Sequence, residues 1–275
     1  MNKRRVGYSS ALLLLLTFSS LAHADPILSA LVSSYPDHLS SYYNNTIVWH
    51  TGRRMPVSDG RPDKSFEQRL ARPDIKDQFA LAYPVGTDIK IPARNEDPGR
   101  FRNEAFFSAM YGDCRKGEVA KHLTPVAWLP RHGGGTLMVT SVNGVAGKVA
   151  AISRELEARP DLLKYVSPSA GSYSCRSIAG TNRLSFHSYG AALDLNLRFA
   201  DYWLWKPEKD SLRWRNRIPP AIVEIFERHG FIWGGKWYHF DTMHFEYRPE
   251  LIAAAKMSRH SGARGPITGL PEDRQ

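Results

Sequence analysis

Residues 185–196 read Ser185-Phe186-His187-Ser188-Tyr189-Gly190-Ala191-Ala192-Leu193-Asp194-Leu195-Asn196. From Ala191 the pattern alternates, which predicts a strand. Leu193, Leu195 and Leu197 would face one side, and Ala192, Asp194 and Asn196 the other. The leucines then enter a core while Asp194 points into a cleft. Gly190 and the small alanines leave the space beside it open. His187 lies seven residues before Asp194, with Gly190 between them.

A second stretch, Trp237-Tyr238-His239-Phe240-Asp241-Thr242-Met243-His244-Phe245-Glu246-Tyr247, is dense in aromatic and ionisable groups. On a strand His244 and Glu246 share one face, with Phe245 and Tyr247 on the other. Asp241 precedes His244 by three, an odd spacing that needs a turn or bulge to bring both to one cleft. Two neutral imidazoles and a carboxylate form a good zinc site with a fourth position open for water. Bound zinc brings that water's pKa to about 7, and a nearby carboxylate can carry its proton. His187, Asp194 and His244 are the candidate ligands and Asp241 the candidate base. The remaining histidines have ordinary readings. His38, His50, His122, His132 and His260 are core or surface residues, and His229 ends a helix before Gly230. His239 reads equally as structural or as substrate-contacting.

Outward from these stretches the chain is an ordinary globular sequence, 42% hydrophobic over 275 residues, long enough for a real core. Thr46 to Trp49 reads as a hairpin arm and residues 25–45 as helix followed by loop. Residues 56–64 read as loop and 65–72 as helix. Residues 83–104 read as extended loop and Ala105 to Tyr111 as a helical turn. Val126 to Leu129 and Leu137 to Val142 read as strands joined through Gly133-Gly134-Gly135. Val145, Val149, Ile152 and Leu156 recur at three or four residues within a helix spanning Asn143 to Leu163. Ile218 to His229 is a second helix, with Pro219 and Pro220 in its first turn and Gly230 at its end. The elements do not alternate as βαβ units, so the predicted class is α+β.

Lys3, Arg4 and Arg5 precede an apolar run, Ala11 to Phe18, and then Ala22-His23-Ala24. That order is a signal peptide with cleavage expected after Ala24. An uncleaved anchor would need a longer run. Cleavage removes three basic residues and no acidic one, so the formal net charge of +10 falls by three. The remaining excess favours anionic partners, and export makes wall polymers the natural choice. The basic residues are scattered rather than clustered, which argues against a nucleic-acid groove. Cys114 and Cys175 read first as a disulfide in an oxidising compartment, the other reading being two free thiols.

The Ser-x-His-x-x-Gly-x-Ala-x-Asp pattern at Ser185 to Asp194, with a carboxylate three residues before a later histidine, resembles the VanY-like zinc D-alanyl-D-alanine carboxypeptidases. That family includes the L-alanyl-D-glutamate peptidases of phage endolysins. His187, Asp194 and His244 match its zinc ligands, and Asp241 its acid-base position. Tyr173-Ser174-Cys175-Arg176-Ser177 stands where the family carries a Tyr/Arg/Ser segment, so the resemblance implies that Arg176 holds substrate or stabilises charge in the reaction. Ser185 and Arg183 are further substrate-contacting candidates, Arg183 reading equally as a surface ion-pair partner. A disulfide at Cys175 would position Arg176. Many carboxypeptidase members carry Glu at the base position, whereas Asp241 resembles the L-alanyl-D-glutamate branch. Glu246 follows the histidine and reads as a group that orients a ligand. The segment Trp233 to Trp237 reads either as a mobile rim or as a packed aromatic corner.

The resemblance implies a compact α+β zinc peptidase domain, with a small antiparallel sheet flanked by helices. The expected organisation is a signal peptide at 1–24, an N-terminal extension packed on the catalytic domain at 25–104, the zinc peptidase domain at 105–257, and a polar, flexible tail at 258–275. The expected function is zinc-dependent hydrolysis of peptidoglycan stem peptides containing D-amino acids, of D-Ala-D-Ala carboxypeptidase or L-Ala-D-Glu endopeptidase type. The expected cofactor is zinc and the expected location periplasmic or secreted. The expected partner is peptidoglycan or its muropeptides, with no nucleic acid and no stable membrane insertion after signal cleavage. The alternatives are a non-catalytic wall-binding protein and an exported metallo-dipeptidase of other specificity.

Overall fold

The computed structural model describes residues 25–208 and 212–260. The expected signal peptide, and residues 261–275 of the expected tail, lie outside the described residues.

Asp25 opens the first helix, α1 (Pro26–Ser34). Its carboxylate accepts from the amides of Ile27 and Leu28, with Pro26 at the first helical position. A three-stranded antiparallel sheet follows: β1 (Leu39–Tyr43), β2 (Thr46–Trp49) and β3 (Arg54–Pro56). Asn44 and Asn45 both have positive φ, 44° and 58°, the two-residue turn that suits the twist of a hairpin. The second hairpin arm therefore comes from residues 39–43, which alone read as loop. Their tyrosines and serines alternate too weakly to mark a strand before β2 is there to pair with.

Helix α2 (Phe66–Ala71) is capped reciprocally by Ser65 and Gln68. From Ala80 to Asn103 the chain forms no helix or strand and is fastened by side chains instead. The Tyr83 hydroxyl bonds Glu227 at 2.7 Å, and the Trp237 indole bonds the Pro98 carbonyl at 2.7 Å. Buried Lys236 reaches the Pro84 and Gly86 carbonyls and Glu227. Helix α3 (Glu104–Tyr111) then begins behind an Asn103 cap. Strands β4 (Leu123–Ala127) and β5 (Thr136–Thr140) form a hairpin. On α4 (Val145–Glu157) the four predicted periodic positions are all buried, and the one-turn helix α5 (Leu163–Val166) follows.

The sheet that matters for function is β6 (Ala192–Asp194), β7 (Phe231–Trp233) and β8 (His244–Tyr247), antiparallel in the order β6-β8-β7. Between β6 and β7 lies α6 (Pro220–Arg228), and after β8 comes α7 (Pro249–His260). Gly230, at φ +88°, closes α6 where a Cβ would come within 2.8 Å of the Tyr247 ring. The predicted leucine face is shorter than expected. Leu193 and Leu195 are fully buried, but Leu197 is 49% exposed. The strand stops at Asp194 because Asn196 turns the chain, bonding the Lys164 and Ser167 carbonyls and capping a tight turn at Arg198. Residues 258–260, expected in the tail, belong to α7 instead. Leu251 and Ile252 bury, and α7 packs against α1.

One hydrophobic cluster runs from Leu28 on α1 through Phe106 and Phe107 on α3 to Phe245 on β8. It draws on both sides of residue 104, so the N-terminal third shares its core with the rest. The arrangement is α+β, helices around small antiparallel sheets. Among the described residues no helix is long and apolar enough to cross a membrane.

Candidate metal centre

His187 sits in a tight turn, Phe186–Tyr189, closed by Gly190 at φ +66°. A Cβ at Gly190 would meet the Leu123 side chain at 2.8 Å and the Thr140 nitrogen at 3.0 Å, so glycine is required there on two counts. Phe186 and Tyr189 pin the turn from both sides by packing with Phe107 and Tyr111. The sheet register does the rest: Asp194 on β6 lies directly opposite His244 on β8.

These elements bring three ligand-type atoms together. His187 Nε2 is 3.1 Å from Asp194 Oδ1, His244 Nδ1 is 3.0 Å from the same oxygen, and the two ring nitrogens are 3.1 Å apart. A tetrahedral zinc ion with bonds of about 2.0–2.1 Å has ligand–ligand edges of roughly 3.3–3.4 Å, so this triangle matches one face of such a site to within a few tenths of an ångström. Among the described residues this is a group of His and Asp able to share one ion. The far side of each ring is also held. His187 Nδ1 bonds the Ser172 carbonyl, and His244 Nε2 bonds Glu246 Oε2 at 3.1 Å. With those nitrogens donating, His187 offers Nε2 and His244 offers Nδ1 as lone pairs toward Asp194. The donor set and its orientation fit a zinc ion.

Without an ion the three groups interact strongly through their charges, and a metal would have to displace a proton from His244. Burial works to raise the Asp194 pKa, but the charges and hydrogen bonds of His187 and His244 hold it well below the usual carboxylate range. Burial likewise opposes charge on His244, yet Asp194, Glu246 and Asp241 together push it up to about 10. Glu246 is wholly buried. Burial works to raise its pKa, but Arg102 and His244 keep it far below its ordinary value.

Asp241 precedes His244 across a turn, in which the His244 amide bonds the Asp241 carbonyl at 3.2 Å. The odd spacing is thereby resolved, and both side chains line one cleft. Asp241 Oδ1 is buried without a hydrogen-bond partner, a costly state that a reactant proton or water would relieve. Burial, aided by the charge of Asp194, outweighs His244, His187 and Arg100 and raises Asp241 to about 6. A carboxylate in that range can both take and return a proton near neutrality.

Arg176 and Ser185 also line this cleft. Arg176 is exposed, and its backbone is tied into the His187 turn by Ser185 and Ser188. Cys175, beside it, is disulfide-bonded to Cys114. Arg183 stands apart, lining a neighbouring hollow with Arg72, Glu104 and Leu184. Burial, with repulsion from Arg102 and Arg100, lowers its pKa to about 10. Trp233 to Trp237 is a packed corner, buried throughout. His229 pairs with Glu155 at 2.5 Å at the end of α6.

Several residues of the cleft escape a reading of the sequence. Arg100, Tyr202 and Trp203 line it, and Arg102 both lines it and grips Glu246; His239, read from the sequence as structural or substrate-contacting, lines it as well. Arg100 and Arg102 come from the 80–103 segment, which has no periodicity to announce it. The run Arg100-Phe101-Arg102 in a Pro- and Gly-rich loop was the available signal.

The family model of D-alanyl-D-alanine carboxypeptidases matches residues 179–247. That segment holds His187, Asp194, Asp241, His244 and Glu246, and excludes Arg176 and the N-terminal third. Comparison with curated proteins and with solved structures gives no match. The motif-level resemblance and the family model thus agree on the same stretch, and the geometry gathers that stretch into one cleft.

Proposed function

We propose that this chain is a zinc-dependent peptidase hydrolysing peptidoglycan stem peptides that contain D-amino acids, acting outside the cytoplasm after loss of residues 1–24. The single observation that carries the reading is the triangle of His187 Nε2, Asp194 Oδ1 and His244 Nδ1, with edges of 3.0–3.1 Å, beside the unpartnered oxygen of Asp241. His187, Asp194 and His244 would hold the ion. When bound, zinc supplies Lewis-acid chemistry, polarising a carbonyl oxygen and making water acidic enough to ionise near neutral pH. Asp241 accepts the proton of the attacking water and returns it to the leaving amine. Arg176 pairs with an oxygen of the substrate or of the developing oxyanion. Ser172 and Glu246 keep the two rings turned toward the ion. The buried, unpartnered Oδ1 of Asp241 favours catalysis over simple wall binding, because a binding site gains nothing from a desolvated carboxylate raised to about 6.

The test is incubation with whole peptidoglycan, with and without a chelator, and mass analysis of the fragments. Chelator-sensitive release of D-alanine or of peptides beginning at D-glutamate is expected. Binding to sacculi with no product would overturn the reading.

A further inference from the structure

His239 belongs to the cleft but has no part in the scheme above. Its ring is held unusually firmly. Nδ1 lies 2.5 Å from Asp97 Oδ2, and its own backbone amide donates to Asp97 Oδ1 at 2.9 Å. Asp97 is fully buried and also takes the Arg100 guanidinium at 2.6 Å. Phe66 stacks on the imidazole at 5.9 Å, and Trp203 meets it edge-on at 4.8 Å. Asp97 therefore uses Nδ1 and leaves Nε2 as the ring's polar atom for the cleft. His239 and Asp241 both line that cleft, while Phe240 between them is buried in the protein.

The chemistry of the two candidate cleavages has a feature in common. Hydrolysis of D-Ala-D-Ala, and of L-Ala linked to a D-Glu that continues through its γ-carboxyl, both release an amine whose α-carbon bears a free carboxylate. Asp241 must reach that amine, and the carboxylate is two bonds further on, within the span of a neighbouring side chain. We propose that His239, oriented by Asp97, is a substrate-contacting residue that binds the α-carboxylate of the leaving residue through Nε2. A ring donating from both nitrogens carries a positive charge, and Asp97 on one side with the substrate carboxylate on the other stabilises it. Arg100 pairs with Asp97 at 2.6 Å, so a substrate carboxylate arriving at Nε2 does not face an uncompensated Asp97 charge. Asp97 serves as a positioning residue.

The inference rests on the peptidase reading, and its test separates the two. The probes are a synthetic stem pentapeptide containing both bonds and two versions of it, with the α-carboxylate of D-Glu or of the terminal D-Ala converted to an amide. Wild-type zinc-loaded protein should cut one bond and lose affinity for the matching amide. In His239→Gln, KM for the carboxylate peptide should rise about tenfold with kcat little changed, and the preference over the amide should vanish. Asp97→Asn should move the same ratio in the same direction, and thermal melting of each variant reports folding. Calorimetric binding of the same peptides to Asp241→Asn, with and without His239→Gln, gives a readout independent of turnover. If wild type cuts neither bond, the peptidase reading fails and the binding arm decides His239 alone. An unchanged carboxylate-to-amide ratio in His239→Gln, or no carboxylate preference in the parent, overturns the assignment.

Discussion

Arg102 grips both carboxylate oxygens of Glu246, Nε to Oε1 at 3.0 Å and the second contact to Oε2 at 2.5 Å, across 144 residues of chain. Glu246 in turn holds the Nε2 side of His244. Arg248 shares Glu246 at 3.2 Å and passes on to Glu250, which accepts from Tyr35. A buried chain of charge-assisted bonds therefore runs from Tyr35, at the C-terminal cap of α1, to the candidate ligand. The N-terminal third holds none of the candidate ligands but supports the orientation of one.

Arg102→Ala leaves a buried carboxylate with one guanidinium instead of two. Loss of one member of a buried pair costs roughly 3–5 kcal/mol, and the remaining Arg248 places the expected loss near the lower bound. Urea unfolding measures it. Zinc affinity should fall about 10–100-fold as His244 loses its support, which competition with a chromogenic chelator reads. Wild-type affinity in a folded variant would contradict the link between Glu246 and the ligand.

Asp241→Asn removes the proposed proton carrier and spares the candidate ligand triangle. Zinc content should stay at the wild-type level, while turnover of muropeptides falls by about 10²–10⁴-fold. A base acts only when deprotonated, so activity should rise with pH through the pKa of Asp241. That value is about 6 without metal, and the charge of a bound ion lowers it. The acid limb of the rate profile should therefore lie at or below pH 6 and be lost in the variant. An acid limb retained by Asp241→Asn would assign the proton transfer elsewhere.

Metal affinity should rise with pH. In the metal-free protein His244 is pushed up to about 10 despite burial, so it holds a proton below that pH and an ion must displace it. One displaced proton corresponds to about a tenfold gain in affinity per pH unit. Chelator competition at pH 6, 7 and 8 gives the slope, and a flat line would show that no proton leaves. His187→Ala opens the triangle and should bind no zinc by elemental analysis.

The Cys114–Cys175 bridge closes a separation of 61 residues, for which the chain-entropy model gives roughly 4 kcal/mol. Replacing both cysteines by serine should lower the melting temperature by about 8–16 °C, at roughly 2–4 °C per kcal/mol for a chain of this size. Substrate affinity should fall as well, because Arg176 loses its fixed neighbour. Calorimetry and KM on a stem peptide test the two parts separately. An unshifted melting temperature would mean that the bridge contributes no net stability.

What the sequence determined by itself is the part set by short-range pattern. The spacing of His187, Asp194, Asp241 and His244, the periodicity of α4 and the Pro and Gly bounds of α6 each express a local rule of helix, strand or turn. The tertiary structure alone decided which distant side chains complete the site. Arg102 on Glu246, Asp97 on His239 and the Ser172 carbonyl on His187 join positions 15 to 144 residues apart, and Arg100 joins the group through Asp97. Loop 80–103 carries three of those groups and has no periodic face. Its path is set by side-chain anchors such as Trp237 on Pro98 and Lys236 on Pro84, and buried polar groups accept whatever partner the packed chain brings within reach.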